Sequence, residues 1–90
     1  MKVRFSDEVD GNLKKIYKKN KKLAKLIEKQ LKIFRNDPRH PSLRIHKLSG
    51  RFHDRWSISI TRGIRMIYSL LDEDEAYFTD IGTHDQVYRK

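Results

Sequence analysis

The stretch Trp56-Ser57-Ile58-Ser59-Ile60-Thr61-Arg62-Gly63-Ile64-Arg65-Met66-Ile67-Tyr68-Ser69-Leu70 decides the fold. From Trp56 to Thr61 apolar and polar residues alternate, so Trp56, Ile58 and Ile60 share one face while Ser57, Ser59 and Thr61 share the other. Arg62 and Gly63 are a short hairpin signal. Beyond them Ile64, Met66, Tyr68 and Leu70 fall on one side and Arg65, Ile67 and Ser69 on the other. Period two on both flanks of a tight turn predicts an antiparallel strand pair with one greasy face. Upstream, Arg44 to Leu48 reads as another strand, followed by a turn at Ser49 and Gly50. Downstream, Asp72 to Glu75 turn the chain into a last strand of about Ala76 to Gly82. That strand has apolar residues at both parities, so its pattern assigns it no face.

The period differs before the loop of Pro38 and Pro41. Val3 and Phe5 alternate with Lys2 and Arg4 as a short strand, and Ser6 followed by Asp7 and Glu8 suits a helix cap with an acidic first turn. Val9, Leu13, Ile16 and Tyr17 then make one helical stripe over residues 7 to 19. Asn20 can cap a second helix, in which Leu23, Leu26, Ile27, Leu31 and Phe34 recur at three- and four-residue steps until Asn36, Asp37 and Pro38 stop it. The expected architecture is α+β: a short N-terminal strand, a two-helix hairpin, then an antiparallel sheet of about four strands. Residues 1–90 read as one domain, without internal repeat or linker.

The 90 residues are 37% hydrophobic and 37% charged, enough apolar content for a core. At this size folding hides only about 60–65% of the surface exposed by the unfolded chain, so modest stability is expected. No cysteine is present, which removes disulfides, thiolate metal sites and thiol nucleophiles together. The N-terminal residues lack the apolar run of a secretory leader and no stretch approaches the ~20 apolar residues of a membrane span. A cytoplasmic location is the expectation.

A net charge of +9 favours a polyanionic partner, because phosphates neutralised by the protein release their counterions. Lysines crowd the outer surface of the two helices, where a solubilising face is the ordinary explanation. Residues 41–65 are more informative: Arg44, Lys47, Arg51, Arg55, Arg62 and Arg65 face only Asp54. Arginine forks suit phosphate oxygens. If Trp56, Ile58 and Ile60 turn to the helices, Arg65 shares a polar sheet surface with Ser57, Ser59 and Thr61. Asp80 on the last strand is the alternative partner for Arg65.

No Gly-rich phosphate loop, His-Glu-x-x-His or carboxylate cluster is present, so no metal or cofactor is expected. The available groups are His46, His53, His84, Arg65 and Tyr88. Such an inventory matches RNA cleavage by its own 2′-hydroxyl, in which a base removes the hydroxyl proton, cations stabilise the phosphorane, and an acid protonates the leaving 5′-oxygen. These are common residues, and their spacing alone specifies no reaction. His40, between Arg39 and Pro41, reads as a surface loop residue. Trp56, Tyr68 and Phe78 read as core, and Tyr88 as an exposed residue near the C-terminus.

Four segments carry a family resemblance: Ile45 to Gly50, Trp56 to Ile60, Gly63 to Tyr68, and Asp80 to Tyr88. Together they resemble the RelE/ParE toxin superfamily across nearly the whole chain. The Leu48-Ser49-Gly50, Arg65-x-x-Tyr68 and Gly82-Thr83-His84 segments are similar to its YafQ and YoeB branches. The resemblance implies a toxin of a type II toxin-antitoxin system that cleaves mRNA, on the ribosome, without a cofactor. It assigns Arg65 to the scissile phosphate, His84 to proton transfer, Tyr88 to base positioning and His46 to the catalytic set. Arg44, Lys47, Arg51, His53, Arg55 and Arg62 are the expected RNA-binding residues.

The pattern also departs from its relatives. YafQ-like enzymes carry a further histidine and an aspartate on the central hairpin, where this chain has Ser59 and Gly63. YoeB-like enzymes place a glutamate before the Leu-Ser-Gly turn, a neighbourhood that here offers Ser42 to His46. His46 is therefore the remaining base, opposite His84 as acid. A ParE-like inhibitor of DNA gyrase and a non-catalytic relative that only binds nucleic acid or antitoxin stay open as alternatives. The implied partners are mRNA, the ribosome and an antitoxin with an acidic segment, which would cover the basic sheet face, displace the C-terminal segment or dock on the helical hairpin.

Overall fold

The computed structural model describes residues 1–48, 50 and 54–88. Its elements are β1 (Lys2–Phe5), α1 (Asp7–Lys19), α2 (Lys21–Asn36), a 3-10 turn (Pro41–Leu43), β2 (His46–Lys47), β3 (Arg55–Ser59), β4 (Ile64–Asp72), β5 (Glu75–Thr83) and α3 (His84–Tyr88). Both long helices begin where a side chain can take up a free backbone donor. Ser6 Oγ accepts from Val9 N at 3.1 Å and Asn20 Oδ1 accepts from Leu23 N at 3.1 Å. Each such cap stabilises its helix by about 1 kcal/mol relative to alanine.

The sheet order is β1-β5-β4-β3-β2. The four later strands pair antiparallel, as expected, and β1 adds a fifth strand at the edge, parallel to β5. The Arg44 to Leu48 strand shrinks to two residues. Pro41–Leu43 form the 3-10 turn, and Arg44 closes it in the left-handed region at φ 45°, a conformation incompatible with an extended strand.

Both helices lie on one face of the sheet. Val9, Leu13, Ile27, Leu31 and Phe34 from the helices meet Ile58, Met66, Tyr68, Ala76 and Phe78 from the strands, and Ile60 just beyond β3, in the main core. Phe34 sits edge-on to Tyr68 at 5.0 Å and to Phe78 at 5.5 Å between ring centroids. Truncating such a buried aromatic to alanine costs about 3–5 kcal/mol.

The mixed parity of β5 has a local cause. Ile67 pairs with Asp80 and the next residue, Tyr68, pairs with Phe78, so Thr79 is bulged out of register. One extra residue reverses the alternation. Ala76 and Phe78 face the helices before the bulge, and Ile81 faces them after it.

The opposite sheet face is left uncovered by α1 and α2. There α3 lays Val87 against Leu48 and Ile67 in a second, smaller apolar cluster with Tyr88 at its margin. Among the described residues no helix is long and apolar enough to cross a membrane.

Candidate active site

Register fixes which residues meet on the uncovered face. His46 of β2 stands opposite Ser57, Ser57 opposite Ile67, and Ile67 opposite Asp80. The adjacent row is Ser59, Arg65 and Gly82. Side chains at paired positions project from the same face, so His46, Ser57 and Arg65 share a surface.

Arg65 is half-buried and held at two points. Its Nε donates to Ser57 Oγ at 3.0 Å, and its Nη2 donates to the Arg44 carbonyl at 2.7 Å. A guanidinium has five N–H donors, so most of this fork remains available to a phosphate. The left-handed turn at Arg44 presents that carbonyl.

Ser57 is completely buried and its oxygen has a second donor, the Tyr88 hydroxyl at 2.9 Å. Tyr88 in turn packs against His84, with ring centroids 4.2 Å apart. A continuous path therefore runs from Arg65 through Ser57 and Tyr88 to the exposed imidazole of His84. The end nearest the helix start is built by a capping box: Thr83 N donates to Gln86 Oε1 at 2.8 Å, and Gln86 N donates to Thr83 Oγ1 at 3.3 Å. Gly82 makes room for this helix, because a Cβ there would lie 2.6 Å from Gln86 Oε1 and 3.1 Å from its Cβ.

The expected site residues do not all converge. Arg65, His46, His84 and Tyr88 share the uncovered face. Tyr88 corrects one expectation: it is half-buried in α3 and hydrogen-bonded to Ser57, not an exposed terminal residue, because α3 folds back over the sheet. Arg55 pairs with the buried Asp80, Nη1 to Oδ2 at 3.9 Å; Arg65, for which Asp80 was the alternative partner, instead engages Ser57 and Arg44. Lys47 pairs with Trp56 on the helix-side face, and its Nζ sits 5.4 Å from that ring's centroid, so it is not grouped with Arg65. Arg44 and Arg62 are exposed beside the site. Arg51 and His53, also expected to bind RNA, lie outside the described residues. His40 is exposed, and its Nδ1 accepts from Ser42 N at 3.1 Å.

Sequence reasoning missed α3, the joining role of Ser57 and the buried Gln30. The first had a signal, Thr83-x-x-Gln86, the capping-box spacing. Behind the site, burial pushes the Tyr68 hydroxyl up to about 12, in keeping with a neutral core phenol. Tyr17, partly buried against the main core, is raised by burial and by its hydrogen bond to Glu28. No group of three or more metal-ligating side chains occurs among the described residues.

Residues 1–89 match the family described as the bacterial toxin of type II toxin-antitoxin system, YafQ. In fold the chain is similar to a YoeB/ParE toxin from Agrobacterium tumefaciens, with TM-score 0.79 and 15% identity over 93% of this chain and 99% of that one. It is also similar to YafQ from E. coli strain BL21(DE3), with TM-score 0.76 and 16% identity over 96% of both chains. A heterotetrameric YoeB-YefM toxin-antitoxin complex from Staphylococcus aureus matches with TM-score 0.77 and 20% identity, over 93% of this chain and 97% of that one. No curated protein sequence matches significantly.

Proposed function

Because the chain belongs to the YafQ family of bacterial type II toxins, we propose that it is an endoribonuclease that cuts mRNA on the ribosome by attack of the RNA 2′-hydroxyl. His46 removes the 2′-hydroxyl proton, and the oxygen attacks the adjacent phosphorus. Arg65 faces the non-bridging oxygens and stabilises the charge that builds on the phosphorane. His84 protonates the departing 5′-oxygen. The P–O5′ bond breaks, leaving a 2′,3′-cyclic phosphate and a 5′-hydroxyl. Tyr88, fixed by its bond to Ser57, aligns His84 and offers a ring edge to a base.

The observation that supports this reading is the grouping of Arg65 with His46 and the Tyr88–His84 pair on one face. A guanidinium tethered by two hydrogen bonds is pre-organised for a phosphate, which is where such catalysis gains most.

By likeness to the YoeB-YefM complex, an antitoxin controls this chain, and its acidic groups complement the +9 charge. The cytoplasm, where mRNA is translated, is the setting.

Brief expression followed by primer-extension mapping of transcripts tests the proposal. New 5′ ends inside codons, absent with Arg65→Ala, are the expected result. Growth arrest with intact transcripts and inhibited DNA supercoiling would point to gyrase instead.

A further inference from the structure

Beside the reacting groups, a cleft of about 500 Å³ opens between α2 and the β3–β4 turn. Its described lining includes four cationic side chains, Lys29, Arg44, Arg62 and Arg65, and no carboxylate. Like charges gathered in one concavity repel one another and focus a positive field into it. An anion resolves that repulsion.

The walls of this cleft are fixed. Gln30 of α2 is only 7% exposed, and its Nε2 donates to the Ser42 carbonyl at 3.2 Å and the Ser59 carbonyl at 2.8 Å. One side chain thus ties the helix, the 3-10 turn and β3 together. Thr61 closes the far side: its Oγ1 accepts from Gly63 N at 3.2 Å and Ile64 N at 3.0 Å. Arg44 is the one non-glycine residue with positive φ among the described residues. Such a conformation persists only where its surroundings hold it, here through the bond from Arg65 to its carbonyl at 2.7 Å.

We propose that this cleft is a second phosphate subsite, filled by an RNA phosphodiester neighbouring the one that reacts at Arg65. The inference rests on the endoribonuclease reading and adds Lys29, which the sequence placed among solubilising helix lysines. Arg65 lines the cleft and also faces the proposed reaction centre. That continuity selects an RNA backbone running through both places over a separate anion or an acidic peptide. Lys29 and Arg62 then set affinity and the path of the strand, without reading the base sequence.

The test is fluorescence anisotropy with a labelled, uncleavable 2′-O-methyl RNA across a salt series. Lys29→Ala/Arg62→Ala changes two exposed residues and should bind about tenfold or more weakly, with the log–log salt slope reduced by about 1.4, ~0.7 per lost single-strand contact. Lys18→Ala/Lys19→Ala, with equal charge loss outside the cleft, should match the wild type. If Arg65→Ala weakens binding but the Lys29/Arg62 variant retains affinity and slope, the subsite is refuted and the endoribonuclease reading stands. If the wild type does not bind RNA, both fail. A glutamate-rich peptide provides the other arm: affinity lost for the peptide alone would make the cleft a protein-docking site and overturn the proposal.

Discussion

The Tyr88 hydroxyl donates to Ser57 Oγ at 2.9 Å across 31 residues of sequence. The same oxygen accepts from Arg65 Nε at 3.0 Å, so one buried serine on β3 sets the orientation of groups from β4 and α3. Ser57→Ala should leave both donors without that acceptor. The expected outcome is a stability loss of about 1–3 kcal/mol in urea denaturation. RNA cleavage should fall about 10- to 100-fold in kcat/KM, since small displacements of positioned groups are expensive. Native kinetics in this variant would show that the tether is irrelevant to catalysis.

Gly82 lies opposite Arg65 in the β4–β5 ladder and beneath Gln86 of α3. Gly82→Ala should turn the Gln86 amide out of its capping box, because the new methyl group meets Gln86 Oε1, the acceptor for Thr83 N, at 2.6 Å. The prediction is reduced cleavage with nearly unchanged circular dichroism, matched by Gln86→Ala, which removes the same capping acceptor. Full activity in Gln86→Ala would locate the defect of Gly82→Ala elsewhere than in this contact.

The parts that were legible in the sequence are those governed by local rules. Ser6 and Asn20 marked the helix starts, the stripe from Leu23 to Phe34 marked the buried side of α2, and alternation from Trp56 to Leu70 assigned the hairpin faces. Ile67 is instructive: it falls on the polar side with Arg65 and Ser69, yet it is buried there because α3 supplies Val87 and the residue after β2, Leu48, packs beside it. The faces of β5 were hidden by the Thr79 bulge, which no periodicity records. The five residues of α3 are too few to show a helical stripe. Lys47 was grouped with the site by composition, but strand register put it on the other face with Trp56.

Gln30 is a buried amide joining three elements, which predicts a large effect for so modest a residue. Gln30→Ala removes donors from the Ser42 and Ser59 carbonyls and should cost about 2–3 kcal/mol in chemical denaturation. A change below about 0.5 kcal/mol, the range of ordinary surface substitutions, would contradict the role assigned to it.

Alkaline stability should report on Tyr68. Its hydroxyl is raised from 10.0 to about 12 in the folded protein, so between those values the folded state binds more protons than the unfolded one. Stability contributed by the neutral phenol is complete below pH 10 and declines as pH rises through 10 toward 12. Tyr68→Phe should show a shallower loss of melting temperature over that window. Parallel curves for the two proteins would mean that this phenol is not protected by burial.

Chemistry at the 2′-hydroxyl is the central claim, and a single atom tests it. Translated mRNA carrying one 2′-deoxynucleotide at the mapped cut should resist the purified protein, while the all-ribose transcript yields a 2′,3′-cyclic phosphate and a 5′-hydroxyl, and neither is cut by Arg65→Ala. Equal cutting of the deoxy-substituted transcript would contradict an internal nucleophile and, with it, the roles proposed for His46, Arg65 and His84.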